Sequence, residues 1–257
     1  MKIKLILFVA VVGFALFGTG CASTEPAFVS DGLVIYYPFN GNTEDESGNE
    51  NHGDLMGAIP TLDRHGKQNS AYLFDGKNDY IIVGPYDFGE TLTSSVWVKP
   101  LSLEKHSTIF DNWDGQGDRD IFPYQKSFDL ALGADGGVGW NLSEDGDYPH
   151  FLSVSPVFKS IDEVRHIVCV KTSNEMKLFI DGKLQKKQSA PKSVFKSTIP
   201  LCIGGSIYTL KFSEDLPRVT TVGSHINAVI DDFRIYSRAL SNEEVKTLYE
   251  LEKPKAK

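Results

Sequence analysis

The chain has 257 residues, with 34 acidic against 26 basic side chains and a formal net charge of −8. That surplus of negative charge repels phosphate, which argues against nucleic acid and anionic lipid as partners and leaves neutral glycans, cations or no partner at all. The length that remains after the apolar N-terminus suits one large β domain.

Residues 1–20 read as a signal peptide. Lys2 and Lys4 give a basic start, and Leu5–Phe17 is an apolar run of signal length, too short for a comfortable membrane span. Gly18-Thr19-Gly20-Cys21 follows, and small residues before a Cys resemble the lipobox of bacterial lipoproteins, with Gly18 where Leu is more usual. The resemblance implies cleavage before Cys21 and acylation of that residue, which would hold the chain on a bilayer. Ala22, in place of an inner-membrane retention Asp, implies the outer membrane of a bacterial cell envelope. The bland alternative is an ordinary secretory signal with a coincidental Cys. Residues 21–31 then form a tether, 32–252 the domain and 253–257 a basic, solvated tail.

From Leu33 onward, short apolar or alternating runs are separated by Gly, Asn, Asp and Pro. The runs are Leu33–Phe39, Ala71–Phe74, Tyr80–Val83, Ser95–Val98, Thr108–Phe110, Phe128–Leu132, Gly139–Leu142, Phe151–Val154, His166–Lys171, Lys177–Ile180, Pro200–Ile203 and Ala228–Ile235. Strands at this spacing predict an all-β, two-sheet antiparallel sandwich. Met176–Ile180 followed by Asp181-Gly182 predicts a hairpin, because an Asp-Gly turn accepts positive φ at low cost. Asp75-Gly76 and Asn78-Asp79 predict another tight hairpin turn, and the polar stretches Glu104–Arg119 and Phe212–Ser224 read as loop insertions. One short helix closes the domain. Ser241 caps it, Glu244 completes a capping box, Val245, Leu248, Tyr249, Leu251 and Glu252 carry its inner stripe, and it stops before Pro254. Cys169 and Cys202 both sit in apolar runs of an exported chain, so a disulfide and two buried free thiols stay equally open.

The segments YYPFNGNTEDESGNENHG, GKQNSAYLFDGKNDYIIV, SSVWVKP, KLFIDGKL and IDDFRIYSRALSNEEVKTLY stand in this order between residues 32 and 251. Together they resemble a bacterial laminin-G-like, concanavalin A-like domain. The resemblance implies a jelly-roll sandwich, a role in binding or adhesion, often of carbohydrate, and frequently calcium at the sandwich rim. Arg165-His166-Ile167 departs from the family, which often carries a Trp there, and the stretch from Val98 to Val164 matches only loosely. Ligand identity therefore does not carry across.

Calcium needs six to eight oxygen ligands. Asp45, beside Asn49 and Asn51 in a Gly-flanked loop, offers some of them. In relatives the first and last strands are neighbours, which would bring Asp231 or Asp232 to Asp45; adjacent strand positions point to opposite faces, so one of the two is expected to take part. The expected metal set is thus Asp45, Asn51, Asp231 and Asp232, with Asx-turn hydrogen bonds as the structural alternative. Trp113, with Asp114 and Asp118 in an acidic loop, offers a flat apolar face and hydroxyl acceptors to a sugar, and Tyr148 would extend that surface; a plain solvated loop is the competing reading. Trp140 reads as core.

A catalytic set is missing. The Glu-x-Asp-x-x-Glu arrangement of concanavalin-like glycosidases is absent, and Glu144-Asp145-Gly146-Asp147 reads as a turn. The six His form no zinc pair, and no nucleophile elbow or phosphate loop occurs. The sequence thus points to an envelope lipoprotein that binds carbohydrate or an envelope protein without catalysis. The alternatives are a divergent glycoside hydrolase or polysaccharide lyase on the same scaffold, or a structural envelope component without a small ligand.

Overall fold

The computed structural model describes residues 26–114, 125–147, 149–210 and 219–255. Among the described residues, a 3-10 turn (Ala27–Val29) precedes seventeen strands and one α-helix: β1 (Leu33–Tyr37), β2 (Asp54–Met56), β3 (Ile59–Thr61), β4 (Ala71–Asp75), β5 (Tyr80–Val83), β6 (Leu92–Pro100), β7 (Ser107–Asp114), β8 (Gln125–Leu132), β9 (Val138–Ser143), β10 (Pro149–Val154), β11 (Arg165–Lys171), β12 (Glu175–Ile180), β13 (Lys183–Ser189), β14 (Leu201–Ile203), β15 (Ser206–Leu210), β16 (Val219–Gly223), β17 (Asn227–Tyr236) and α1 (Asn242–Glu252). An eight-stranded sheet runs β13-β12-β11-β6-β17-β4-β3, with β1 also paired to β17. A seven-stranded sheet runs β10-β9-β8-β7-β14-β5-β2, and β15 pairs with β16 in a separate ribbon. All the pairings are antiparallel.

Alternation builds the sandwich. Phe110, Phe128, Leu130, Trp140 and Leu142 of the seven-stranded sheet face Val96, Ile167, Cys169, Phe233 and Ile235 of the other across one continuous core. A second cluster lies on the outer side of the eight-stranded sheet, where α1 lays Val245 and Leu248 against Val168, Val170, Phe179 and Tyr236. The expected capping box holds α1 at its start. Its inner stripe differs at the end: Leu251 is 53% exposed and Glu252 only 8%. The sheet edges are protected against pairing with other chains. Lys183, Lys186 and Lys187 line the exposed edge strand β13, and Pro60 sits in the opposite edge strand β3.

Three local readings are corrected, and one left open between two alternatives is resolved. The Asp181-Gly182 hairpin forms, with φ of 51° and 71°, but the Asp75–Asp79 turn is no hairpin. It carries the chain from β4 in one sheet to β5 in the other, closed by Asp79 accepting the Asp75 N–H at 2.8 Å. The acidic stretch after Phe110 is not all loop: β7 continues through Asp114, and register shifts let it follow β8. Val219–Gly223 likewise pairs with β15 instead of forming a plain insertion. Finally, Cys169 and Cys202 are free, buried thiols. Cys169 points into the core, whereas Leu201 and Ile203 do so from β14, which turns Cys202 to the outer face of the opposite sheet.

Candidate functional site

The opening loop is held by hydrogen bonds. Asp45 accepts from the N–H of Tyr36 (2.8 Å), Ser47 (3.0 Å) and Asn51 (3.0 Å) and from the Ser47 hydroxyl (2.8 Å). The Asn51 side-chain amide donates to the Val34 carbonyl at 2.9 Å, and the Asn51 backbone carbonyl accepts from the Tyr37 hydroxyl. Asp232 lies at the far end of Tyr36, accepting its hydroxyl at 2.9 Å. Asp45 and Asp232 thus occupy the two ends of one tyrosine, and the expected metal set does not converge. The oxygens already face N–H and O–H donors, so this set does not fit calcium. Among the described residues no three His, Cys, Asp or Glu side chains group in a way that could hold a metal.

Asp231 and Asp232 instead share a cation. A bulge in β17, with Asp232 at φ 45°, breaks the alternation and sends both carboxylates to the same partner. Arg64 reaches Asp231 and Asp232 at 2.5 Å each and stacks over Trp97 at 4.7 Å. Its Nε donates to the Glu252 carbonyl at 2.8 Å. Arg234 pairs with Glu252, and the Trp97 indole donates to the same carboxylate at 2.8 Å. His166, stacked on Trp97 at 4.8 Å, is pushed down to about 3 by burial and by Arg234 and Arg64, so it is neutral. This clamp ties the turn before β4, the bulge of β17 and the end of α1 together. No sequence pattern marks Arg64, a turn residue, as its centre.

Two guanidinium groups face three carboxylates here. Burial pushes Asp231 up to about 7, with Asp232 adding and Arg64 opposing. Burial also raises Asp232, but Arg234 and Arg64 outweigh it and hold that group below the usual carboxylate range. A carboxyl whose folded pKa exceeds its unfolded value keeps a proton that the unfolded chain releases. Its contribution to stability is full below about pH 4 and is lost as pH rises through about 7. The melting temperature is therefore expected to fall by several degrees from about pH 5.5 to about pH 8.5, read by circular dichroism, and Asp231→Asn should flatten that fall. An unchanged wild-type profile would contradict the assignment.

The outer face of the seven-stranded sheet is different in character. Cross-strand partners form an unbroken row: Phe151 with Asn141, Asn141 with Asp129, Asp129 with Asp111, Asp111 with Cys202, and Cys202 with Ile82. Asn141 donates to Asp129 at 2.8 Å, while loss of solvent around Asp129 pushes it up to about 6. At one end of the row lies a cleft of about 710 Å³ between β5 and the β15–β16 ribbon. Ile82, Pro200, Ile207 and Val222 make it apolar, Tyr80 and His225 add aromatic walls with centroids 6.1 Å apart, and Lys77, Asn78 and Thr221 supply polar groups. Tyr80 and Ile82 point outward because Ile81 and Val83 fill the core from the same strand. An apolar run on both faces of a short strand is the signal the sequence offers for it.

The expected sugar platform fares differently. Trp113 is half-buried, with the Lys126 ammonium over its ring at 5.5 Å. Asp114 ends β7; Asp118, Tyr148 and Cys21 lie outside the described residues. Trp140 is core, as expected, and Trp97 belongs to the clamp.

Two packed antiparallel sheets with a helix closing the outer side of one define a concanavalin A-like jelly roll. Residues 75–246 match the model of the laminin G-type concanavalin A-like lectin/glucanases superfamily, and the chain belongs to that family. Among solved structures it is similar to the receptor binding domain of botulinum neurotoxin C/D mosaic serotype (18% identity, TM-score 0.64, 87% of this chain and 52% of that one). It is also similar to the binding domain of Paraclostridial Mosquitocidal Protein 1 (20%, 0.66, 86% and 52%). A third is the botulinum neurotoxin serotype D ligand binding domain in complex with N-acetylneuraminic acid (19%, 0.63, 87% and 52%). At these identities the likeness is one of fold, and the chain spans about half the length of these structures. No curated protein matches the sequence.

Proposed function

We propose that this protein is a non-catalytic carbohydrate-binding module, held at the bacterial outer membrane by acylation of Cys21. The cleft beside Tyr80 carries the reading. Its volume of about 710 Å³ suits a small organic ligand. Its apolar floor suits the C–H face of a sugar ring, and Tyr80, Asn78, Lys77 and Thr221 suit its hydroxyls. A protein of the same fold that was solved with N-acetylneuraminic acid bound lends the scaffold a precedent for sugars.

Glycoside hydrolysis is the weaker reading. Asp111 and Asp129 are cross-strand neighbours, close enough to resemble a carboxylate pair, but Asp111 is 1% exposed. A glycosidase needs both carboxyls to flank the scissile bond. The test is binding of the full chain to a glycan array, with and without calcium chelator, beside pull-down from envelope extracts. Retention by at least one glycan class, insensitive to chelator and reduced about tenfold by Tyr80→Ala, is expected. Silence on the array, or turnover of a polysaccharide, would refute the proposal.

A further inference from the structure

We propose that the far end of the same face carries a second sugar subsite, a platform for a neutral pyranose on Phe151; this rests on the carbohydrate reading above. Phe151 is the outlier of its strand. It stands on the solvent side of edge strand β10 and is 56% exposed, while Leu152 beside it is core. Its ring lies over the backbone of β9: a Cβ placed on Gly139 would come 2.9 Å from its Cε2 and 3.3 Å from its Cζ. Glycine at 139 therefore lets the ring lean onto the sheet, and the exposed part of the ring remains for a ligand.

Beside the ring is a hollow of about 180 Å³ with Gly137, Ala131 and Gly139 among its walls. Small residues make the depression, and polar groups surround it. The exposed His106 stands at one wall, and Ser153 and Asn141 stand at others. Asn141 uses its amide N–H on Asp129, which leaves its carbonyl oxygen as an acceptor for a hydroxyl. Asp135 is held in place by the Gly137 N–H at 2.9 Å and the Ser155 hydroxyl at 2.6 Å, which fixes the hollow's shape. An aromatic face next to fixed acceptors matches a sugar ring, with an apolar side and a hydroxyl rim. The carboxylates of Asp129 and Asp135 disfavour an acidic sugar, so neutral pyranosides are selected.

Five strand spacings of about 4.8 Å separate β10 from β5, so Phe151 and the Tyr80 cleft lie about 24 Å apart. The row between them is sealed at Asp111 and Cys202, both buried. The two hollows are thus separate subsites on one face and not a single groove.

Saturation-transfer NMR tests this on the full chain in a non-glycosidic detergent. The probes are the methyl β-pyranosides of glucose, galactose, mannose and N-acetylglucosamine, with methyl glucuronide as the acidic comparison. In the Tyr80→Ala background, which removes the cleft's contribution, transfer to at least one neutral probe is expected, exceeding that to glucuronide and lowered at least fivefold when Phe151→Ala is added. Gly139→Val, which lifts the ring, should reproduce the loss with the melting temperature of Phe151→Ala unchanged. Transfer that survives Phe151→Ala but vanishes in Tyr80→Ala overturns the platform and leaves the cleft standing. Silence from every monosaccharide also overturns the platform, and the glycan array decides separately whether the wider reading falls with it.

Discussion

Arg64→Ala should lower the melting temperature by on the order of ten degrees. Removing one partner of a buried ion pair costs about 3–5 kcal/mol, and a chain of this size loses about 2–4 °C per kcal/mol. The cost arises because Asp231 and Asp232 stay behind in a dry pocket with no guanidinium between them. Trp97 also loses the cation stacked on its face. Without Arg64, the cluster holds one guanidinium against three carboxylates, so its dependence on pH should steepen. At alkaline pH, where Asp231 ionises, adding Asp231→Asn to Arg64→Ala removes one uncompensated charge. The double variant should therefore melt higher than Arg64→Ala alone, a non-additivity that marks a shared network. A loss within a degree or two for Arg64→Ala, or two effects that simply add, would show that the clamp contributes little.

The architecture is legible because alternation and turn chemistry are local. Leu33–Phe39, Phe128–Leu132 and His166–Lys171 announce strands by their own residues, and Ser241 with Glu244 announces a helix. What is not local stays hidden. The turn after Asp75 reads like a hairpin because Asp-Gly sequences do not record which sheet the next strand will join. Val219–Gly223, which pairs with β15, reads Val-Thr-Thr-Val-Gly, too short and mixed a run to be told from loop. The bulge at Asp232 reverses the face expected of a strand residue, and no residue next to it signals the positive φ.

The candidate sites show the same divide. Asp45 is the centre of the opening loop, as its Gly-flanked setting implies, yet its oxygens serve backbone N–H groups. Asx chemistry and metal chemistry use the same residue types, and only the positions of donors separate them. Glu252 falls in the inner stripe at the right helical spacing. It does face inward, but its partner Arg234 makes it an ion-pair residue. Tyr80 and Phe151 read in the sequence as strand residues and nothing more. Their exposure depends on the opposite face of the same strand already being full, which a sequence shows only after the core is known.

Gly204→Ala is the second substitution with a large expected effect, and it joins stability to the cleft. Gly204 links β14 to β15 at φ 89°, a backbone conformation that side chains disfavour by about 1–2 kcal/mol. A Cβ there would sit 2.4 Å from Cδ1 and Cε1 of Phe74, a ring with no exposure at all. The backbone cannot retreat freely, since its N–H donates to Ile109 at 2.8 Å and its carbonyl accepts from Ile226 at 3.0 Å. Overpacking of this kind adds about 1–3 kcal/mol. The sum predicts a fall in melting temperature on the order of ten degrees. Gly84→Ala is the matching control, because a Cβ at that position meets nothing within 4 Å. It should change stability by no more than about 0.5 kcal/mol. Relief of the clash would have to come from the chain after Gly204, which leads into Ile207 and thus into the wall of the Tyr80 cleft. Glycan retention by Gly204→Ala, measured well below its own melting temperature, should therefore drop as well. Retention at the wild-type level with a lowered melting temperature would mean that the ribbon shapes no part of the ligand site.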